Sequence, residues 1–252
     1  MSACNWYKDW FNSPYYHILY KKRDDKEAQA FVDALCKHLQ LNSKHKVWDL
    51  ACGKGRHSIY LNSKGCNVIG TDLSENSIDE ALKSSNETLE FYKHDMRTPF
   101  RMNYFTHVFN LFTSIGYFEN PHDNLKVFKN VFQALKPGGL FVVDFFNAIT
   151  VLDCMNSSDK KTIEGIEFNI CKKVENNKII KRIEFSDNNK NYFFEEKVSL
   201  LGKKDFETLG LAAGFSLQSV FGDYHLNAFN EKNSDRLILI FRRKEASLTG
   251  KK

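Results

Sequence analysis

Two glycines and a distant aspartate are the residues of this sequence whose types and spacing best suit ligand binding. Gly53 and Gly55 follow an apolar run at residues 46–50 and precede a helical pattern. Glycine lets backbone N–H groups close on a ligand because no Cβ intervenes, and the N-terminus of the next helix favours a negative group. Asp72 ends a second apolar run, about twenty residues further on, where a carboxylate can accept hydrogen bonds from a ribose. The pattern therefore predicts a nucleoside site.

The glycine spacing separates two kinds of nucleoside site. A dinucleotide-binding loop uses a third glycine for close packing of helix on strand, whereas Ser58 stands at that point here. Asp49, at the end of the first apolar run, is also foreign to the dinucleotide pattern. Residues 49–57, Asp-Leu-Ala-Cys-Gly-Lys-Gly-Arg-His, instead resemble the first motif of class I S-adenosylmethionine-dependent methyltransferases. Residues 70–74, Gly-Thr-Asp-Leu-Ser, resemble the acidic loop after the second strand of that family.

The resemblance implies S-adenosylmethionine as the cofactor and S-adenosylhomocysteine as the product. In the family, the first motif surrounds the methionine part, the acid after the second strand holds the ribose, and residues after the third strand contact the adenine. The residues implied to bind the cofactor here are Asp49, Ala51, Gly53, Gly55, Asp72, Leu73, Asp95, Met96, Asn110, Leu111 and Tyr20. Arg56 is implied to hold the cofactor's carboxylate, with an ion pair to an acid of the protein as the alternative. The alternative role of Asp95 is to cap the following turn.

The implied reaction is methyl transfer to a small-molecule acceptor, with an N-, O- or C-nucleophile, by in-line displacement. Residues 53–57 and the aromatic N-terminus resemble the small-molecule branch of the family, near glycine and sarcosine N-methyltransferases. Two alternatives stay open: a methyltransferase that acts on RNA or protein, and a protein that binds the cofactor without turnover. A homodimer is compatible with the sequence.

The acceptor should lie beside the loop that follows the fourth strand, because ligands of open α/β sheets sit outside the carboxyl ends of strands. Tyr117, Tyr224 and His225 are the weak candidates for catalysis, and Asp223 lies beside them in the sequence. DNA amino-methyltransferases carry two prolines after the residue that corresponds to Asn110, and none stands here. The chain also lacks the Pro-Cys pair of a cytosine-C5 methyltransferase, whose chemistry needs a thiolate nucleophile.

The elements that position these residues alternate between strand and helix. Apolar runs predict strands at residues 46–50, 67–72, 89–93, 106–112, 140–146, 215–224 and 236–241. The Leu-Lys-Pro-Gly-Gly segment at 135–139 resembles a further motif of the family and is predicted to end a helix. The connection before the last strand is too short for a crossover helix, so the last two strands should be antiparallel. We expect an α/β fold with a Rossmann-like, seven-stranded, mostly parallel sheet and an antiparallel last strand.

Two segments fall outside this alternation. Residues 1–23 are dense in aromatic side chains and are predicted either to pack on the core or to form a lid over the cofactor. Residues 160–201 alternate in polarity and predict an inserted three-stranded antiparallel meander that leans on the main sheet. The resemblance implies that the insert covers the substrate mouth. The alternative is that it covers an edge of the main sheet or forms a dimer contact. The core domain is then 24–159 and 202–244, with a basic tail at 245–252.

Composition narrows the remaining classes of function. The chain has 252 residues, 42% apolar residues and a formal net charge of +5, and its basic residues are spread along it, so a nucleic-acid partner is not expected. No run is long enough to span a bilayer, and no signal peptide is predicted. The six cysteines are scattered without metal-ligand spacing. This pattern predicts reduced thiols, a cytoplasmic protein and no metal site.

Overall fold

The computed structural model describes residues 6–21, 25–153 and 158–244. The predicted basic tail at 245–252 and residues 1–5 and 22–23 of the predicted lid segment lie outside the described residues. No helix in the described ranges is long and apolar enough to cross a membrane.

The chain alternates between helices and strands through most of its length. The helices are α1 (Trp6–Asn12), α2 (Pro14–Leu19), α3 (Asp25–Leu39), α4 (Arg56–Ser63), α5 (Glu75–Leu82), α6 (His122–Ala134), α7 (Ala148–Asp153) and α8 (Lys203–Ala213). The strands are β1 (Lys46–Leu50), β2 (Asn67–Asp72), β3 (Leu89–Lys93), β4 (Phe105–Asn110), β5 (Leu135–Phe146), β6 (Ser158–Ile163), β7 (Ile166–Glu175), β8 (Lys178–Asp187), β9 (Lys190–Ser199), β10 (Phe215–Phe221) and β11 (Arg236–Arg243).

The main sheet has seven strands in the order β10-β11-β5-β4-β1-β2-β3. Strands β1 to β5 are parallel, and β11 runs antiparallel to both β5 and β10. The predicted Rossmann-like sheet with an antiparallel last strand is therefore confirmed. Sequence order reverses between β1 and β4, and in open α/β sheets such a reversal opens a crevice at the carboxyl ends of the strands.

The sheet is buried on both faces because its side chains alternate between two apolar layers. In β1, Val47 packs with Phe31 and Leu35 of α3, whereas Trp48 packs on the opposite face with Phe128 of α6. Side chains of a strand point alternately to opposite faces, so one apolar run can serve both layers. This burial fixes where the carboxyl ends of β1, β2 and β4 meet.

Strand β5 differs from its prediction at its start. It begins at Leu135 rather than at residue 140, so the Lys-Pro-Gly-Gly segment lies inside the strand. The pairing of β4 with β5 jumps from Phe105↔Leu135 to His107↔Leu140, which marks a bulge. The bulge absorbs the extra residues while α6 still ends at Ala134.

The insert is a four-stranded antiparallel sheet in the order β6-β7-β8-β9, and the prediction of three strands is wrong. The first alternating run is divided by a tight turn at Glu164 and Gly165, whose φ angles are +52° and +82°. Its inner apolar face packs on α1 and α2, with Trp10, Phe168 and Phe185 in one cluster. It also meets the main domain, where the Ser199 N–H donates to the Gly116 carbonyl at 2.9 Å.

Candidate cofactor and acceptor site

A cavity of about 530 Å³ lies at the carboxyl ends of β1, β2 and β4. One side is formed by the loops after these strands, and the other by α1, α2 and the residues that follow α2. Predicted residues that line it are Tyr20, Ala51, Gly53, Arg56, Asp72, Leu73, Asp95, Met96, Leu111 and Tyr117. The structure thus brings together residues that are up to ninety-seven positions apart in the sequence (Tyr20 to Tyr117).

The loop after β1 exposes its backbone to this cavity at Gly53. Gly53 has a φ of +56°, and in the described part of the chain no heavy atom lies within 4 Å of a Cβ built on it. Ala51 is also left-handed, at φ +63°, and the Gly55 N–H closes the turn on the Cys52 carbonyl at 3.0 Å. The space in front of Gly53 is therefore available to a ligand that approaches the backbone closely.

Gly55 serves packing rather than ligand contact, which corrects its predicted role. It is not among the described residues that line the cavity. A Cβ at Gly55 would stand 2.7 Å from the ring of Phe91 and 3.3 Å from Ala81, and its φ is +80°. Close packing of helix on strand, the task of the third glycine in a dinucleotide loop, is performed here by Gly55.

Asp72 lines the cavity at the end of β2. Its Oδ2 accepts the Gly53 N–H at 2.8 Å, and its Oδ1 accepts the Ser74 N–H at 2.8 Å. Burial raises the pKa of Asp72, and the backbone donors of Ser74 and Gly53 act in the opposite direction. Each carboxylate oxygen has two lone-pair sites, so each keeps capacity for one further donor, such as a ribose hydroxyl.

Asp95 lies at the cavity wall but is held by a partner that the sequence analysis missed. Arg97 binds its carboxylate through Nε at 3.0 Å and through a terminal nitrogen at 2.6 Å, and the other terminal nitrogen reaches Asp123 at 3.3 Å. Burial acts to raise the pKa of Asp95, but the hydrogen bonds from Arg97 bring it below its usual value. Asp95 is thus an ionised acceptor with a fixed orientation beside Met96. The i, i+2 acid–arginine spacing was the only signal for Arg97.

Asp49 and Asn110 are placed behind the cavity, contrary to their predicted contact with the cofactor; neither belongs to the lining that the described residues form. The Asp49 Oδ2 accepts the Ser58 hydroxyl at 2.5 Å, and burial raises the pKa of Asp49 to about 6. The Asn110 side-chain amide donates to the Leu50 carbonyl at 2.9 Å and so ties β4 to β1. Both side chains support the backbone next to the cavity, and their contact with the cofactor stays a prediction.

Of the three weak catalytic candidates, only Tyr117 belongs to the cavity. Neither Tyr224 nor His225 is among the described residues of its lining. Tyr224 stacks on Phe31, with ring centroids 4.5 Å apart, and its hydroxyl lies 3.4 Å from Asp144. His225 is exposed, and its N–H donates to the Asp223 carboxylate at 2.9 Å. The structure therefore places these two candidates outside the cavity lining.

The aromatic N-terminal segment forms both a packed cluster and a wall of the cavity. Tyr7, Phe11 and Tyr16 line the cavity while they pack with the inner face of the inserted sheet. His17, which the sequence analysis did not single out, also lines it. Burial lowers the pKa of His17 to about 4, with a further contribution from the charge of Lys54, so the ring is neutral at pH 7. The N-terminal segment was predicted either to pack on the core or to form a lid, and the same aromatic residues both pack in the cluster and line the cavity.

One carboxylate ties α1 and the residue that follows α2 to the inserted sheet. The Glu196 Oε1 accepts the Trp10 indole N–H at 2.7 Å and the Tyr20 hydroxyl at 2.6 Å. The Lys181 ammonium lies 3.5 Å from Oε2, and it also donates to the Tyr20 hydroxyl. The inserted sheet thereby holds Tyr20 at the cavity wall. No group of three or more His, Cys, Asp or Glu side chains that could hold a metal ion is found among the residues described.

Comparisons with known proteins agree with this architecture. A family model described as "Methyltransferase domain" matches residues 47–139. A Bacillus subtilis protein named as a methyltransferase, YqeM, is 35% identical over 141 residues, which are 54% of this chain and 57% of that protein. The matched region spans about half the length of the curated relatives, 57% and 48% for the first two.

Two solved structures share the fold over nearly their whole length. An S-adenosylmethionine-dependent methyltransferase from Clostridium acetobutylicum has a TM-score of 0.77 at 20% identity, covering 91% of this chain and 96% of that one. A sugar N-methyltransferase from Streptoalloteichus sp. has a TM-score of 0.75 at 18% identity, covering 91% and 93%. With the sheet order, these findings show that the chain has the fold of S-adenosylmethionine-dependent methyltransferases and that its residues 47–139 match a methyltransferase domain.

Proposed function

We propose that the protein binds S-adenosylmethionine in the cavity and transfers its methyl group to a small-molecule acceptor. The observation that carries this proposal is the closure of the cavity: the Gly53 loop and Asp72 form one wall, and the aromatic cluster on the inserted sheet forms the opposite wall. A volume of about 530 Å³ falls within the range of about 300–1,000 Å³ that is usual for small-molecule sites.

Each part of the cofactor has a matching part of the cavity. The open backbone at Gly53 fits the methionine part, and the Asp72 carboxylate fits the ribose hydroxyls. Asp95, fixed by Arg97, fits the adenine amino group, with Met96 against the ring. Arg56 lines the cavity at the start of α4, where it fits the carboxylate of the cofactor. When bound, the cofactor would supply an activated methyl group on a sulfonium: the nucleophile bonds to the methyl carbon in line with the carbon–sulfur bond that breaks, and S-adenosylhomocysteine is the leaving group.

We propose a small amine as the acceptor. An amine need only be neutral to attack, whereas a hydroxyl or a carbon acid needs a general base. The chain's contribution is then to orient the amine and exclude water, and Tyr117 with the rings of α1 and α2 is suited to both tasks. The sugar N-methyltransferase with the same fold supports this class of acceptor.

The wall opposite the cofactor loops is aromatic, which supports a small molecule over RNA as the acceptor. Tyr7, Phe11, Tyr16 and Tyr20 supply most of that wall, whereas RNA binding calls for a basic stripe around the site. The described cysteines Cys36, Cys52, Cys66 and Cys171 are free thiols. Free thiols support a reducing compartment, and we propose the cytoplasm.

Calorimetric titration with S-adenosylmethionine, S-adenosylhomocysteine and NADH tests the cofactor. We expect micromolar binding of the first two and none of NADH; binding of NADH alone would overturn the proposal. Methyl-labelled cofactor is then incubated with panels of primary amines, phenols and carboxylic acids, and with total RNA and a protein mixture. Transfer to an amine supports the acceptor class, transfer to RNA or protein overturns it, and tight binding with no transfer to any panel favours a non-catalytic binder.

A further inference from the structure

The loop after β4 contains two consecutive left-handed residues that are not glycine. Phe112 has a φ of +64° and Thr113 a φ of +53°. Such backbone is strained and persists only where the surrounding structure enforces it. Both residues, with Ser114, line the cavity. The strain is therefore located in the wall of the proposed active site.

Asp144, on β5, holds both strained residues from behind. Its Oδ2 accepts the Phe112 N–H at 2.8 Å, and its backbone carbonyl accepts the Thr113 N–H at 3.1 Å. The Asp144 side chain is 1% exposed. It is not part of the cavity lining that the described residues form, so it acts on the cavity only through the loop.

Arg236, on β11, completes the arrangement. Its Nε donates to the Asp144 Oδ1 at 2.8 Å, and a terminal nitrogen lies 2.7 Å from the same oxygen. That terminal nitrogen also donates to the Thr113 hydroxyl at 3.3 Å. Asp144 thus contacts the loop at two backbone N–H groups, one through its carboxylate and one through its backbone carbonyl, and Arg236 contacts it at the Thr113 hydroxyl.

A contribution to stability alone is a weak explanation for this pair. Removing two charges from water costs several kcal/mol, and well-packed apolar residues of similar volume often serve stability as well or better. The pair instead fixes where one ring lies: the Phe112 ring centroid is 5.9 Å from the Arg56 guanidinium carbon and 6.0 Å from that of Arg236. Arg56 lines the cavity, whereas Arg236 belongs to β11.

We propose that Asp144 and Arg236 are positioning residues that hold Phe112 and Thr113 as the acceptor-side wall, at the point where the methyl group leaves the cofactor. The proposal rests on the proposed function, because that function places the cofactor between the Gly53 loop and this wall. Its consequence is specific: loss of the pair changes the environment of the transferable methyl group and leaves the ribose and adenine contacts at Asp72 and Asp95 intact.

The test compares Asp144→Asn and Arg236→Gln with the wild type, and Arg236→Lys serves as the conservative variant. Asparagine offers one acceptor oxygen where aspartate uses both, so the bond to the Phe112 N–H or the bonds to Arg236 must break. The control is Arg243→Gln on the same strand: Arg243 donates to the Phe132 carbonyl at 2.7 Å, away from the cavity. Melting temperatures show which variants are folded.

Two readouts need no knowledge of the acceptor. The first is amide hydrogen exchange at Phe112 and Thr113, which reports the loop directly. The second is the ratio of the dissociation constants of sinefungin and S-adenosylhomocysteine, measured by calorimetry. Sinefungin carries a primary amine in place of the transferable methyl group, so it senses the acceptor-side wall, whereas S-adenosylhomocysteine has no group at that position.

We expect exchange at the two amides to rise at least tenfold and the ratio to change at least fivefold in Asp144→Asn and Arg236→Gln. S-adenosylhomocysteine affinity should stay within twofold, Arg236→Lys should fall between these variants and the wild type, and Arg243→Gln should change only the melting temperature. Unchanged exchange or an unchanged ratio overturns the proposal, as does an equal loss of affinity for both ligands. A wild type that binds neither ligand would instead refute the proposed function.

Discussion

The Asp72 carboxylate accepts the Gly53 backbone N–H at 2.8 Å, and this bond joins the loop after β1 to the end of β2. The second oxygen of the same carboxylate accepts the Ser74 N–H at 2.8 Å, at the start of α5. The two sequence signals that predicted a nucleoside site therefore form one structural unit. Asp72 fixes the loop at Gly53, and in the proposed complex its remaining lone pairs would accept hydrogen bonds from the ribose.

Asp72→Ala should weaken S-adenosylmethionine binding at least tenfold. The substitution removes charge-assisted hydrogen bonds to the ribose, each of them roughly twice as strong as a neutral one, and it releases Gly53. Calorimetric titration measures the change, and Asp79→Ala, an exposed acid on α5, is the control that should leave the affinity unaltered. Unchanged affinity in folded Asp72→Ala would refute the ribose assignment.

Gly55→Ala should destabilise the fold more than Gly53→Ala. Both substitutions place alanine in left-handed backbone, at a cost of about 1–2 kcal/mol. At Gly55 the new Cβ also meets the Phe91 ring at 2.7 Å, and overpacking of this kind adds about 1–3 kcal/mol. Urea denaturation measures both free energies of unfolding. Gly53→Ala should instead lose cofactor affinity, because its methyl group points into the cavity; the opposite ranking would contradict the two assigned roles.

The sheet order could be predicted from the sequence because apolar runs and short connections determine it locally. β1, β2 and β3 have the predicted bounds, and the short connection between β10 and β11 required an antiparallel pair. Asp72 and Gly53 followed from the same rules, since the residue that ends a parallel strand lies at the ligand edge. The insert was less predictable, because a polar turn within one alternating run is hard to distinguish from the run itself.

Residues that failed as ligand contacts did so for reasons of direction and strand order. Asp49 shares a face of β1 with Val47, so its side chain points under α4 to Ser58 instead of into the crevice. Tyr224 and His225 follow β10, which three strands separate from β1 in the sheet. The position of a residue just after a strand therefore predicts the edge of the sheet on which it lies, but not its distance from the cavity.

The charged contacts that organise the site were beyond prediction because their partners are far apart in the chain. Arg236 and Asp144 are separated by 92 residues, and Glu196 and Trp10 by 186. No periodicity links such pairs, and neither residue of a pair indicates its partner. Only the folded topology, which places β11 beside β5 and β9 beside α1, brings them into contact.

Glu196→Gln should speed the release of cofactor. Glu196 joins α1 and the Tyr20 hydroxyl to the inserted sheet, and its side chain is 16% exposed. Loss of its charge weakens two hydrogen bonds and leaves the Lys181 charge less well compensated, so the aromatic wall should open more often. Stopped-flow displacement of S-adenosylhomocysteine should show a dissociation rate several-fold higher.

Glu195→Gln is the matched control for this variant. Glu195 is the neighbour of Glu196 on β9, but its side chain pairs with Arg182 at 2.8 Å on the outer face of the inserted sheet. It should leave the dissociation rate unchanged. Equal rates for the two variants, or no change in either, would show that the Glu196 contacts do not control opening.

His107→Gln should make the stability of the protein less sensitive to acid. The His107 ring is buried, 6% exposed, and its Nδ1 lies 3.0 Å from the Thr106 hydroxyl. Burial lowers its pKa to about 3, and the charges of His45 and Arg242 act in the same direction. The unfolded chain therefore binds more protons than the folded one between about pH 3 and pH 6.5, and the free energy of unfolding falls as the pH falls through this window.

The expected magnitude is about 1.6 kcal/mol between pH 6.5 and pH 5, since the slope rises from about 0.7 kcal/mol per pH unit at pH 6.5 to about 1.4 at pH 5. Asp49 changes the free energy of unfolding in the opposite direction: burial raises its pKa to about 6, so its protonation stabilises the fold as the pH falls from 6 towards 4.

Urea denaturation at several pH values separates the contributions of His107 and Asp49. His107→Gln should flatten the decline, Asp49→Asn should steepen it, and the exposed control His122→Gln should match the wild type. A wild-type slope in His107→Gln would show that this histidine is not the buried neutral group responsible.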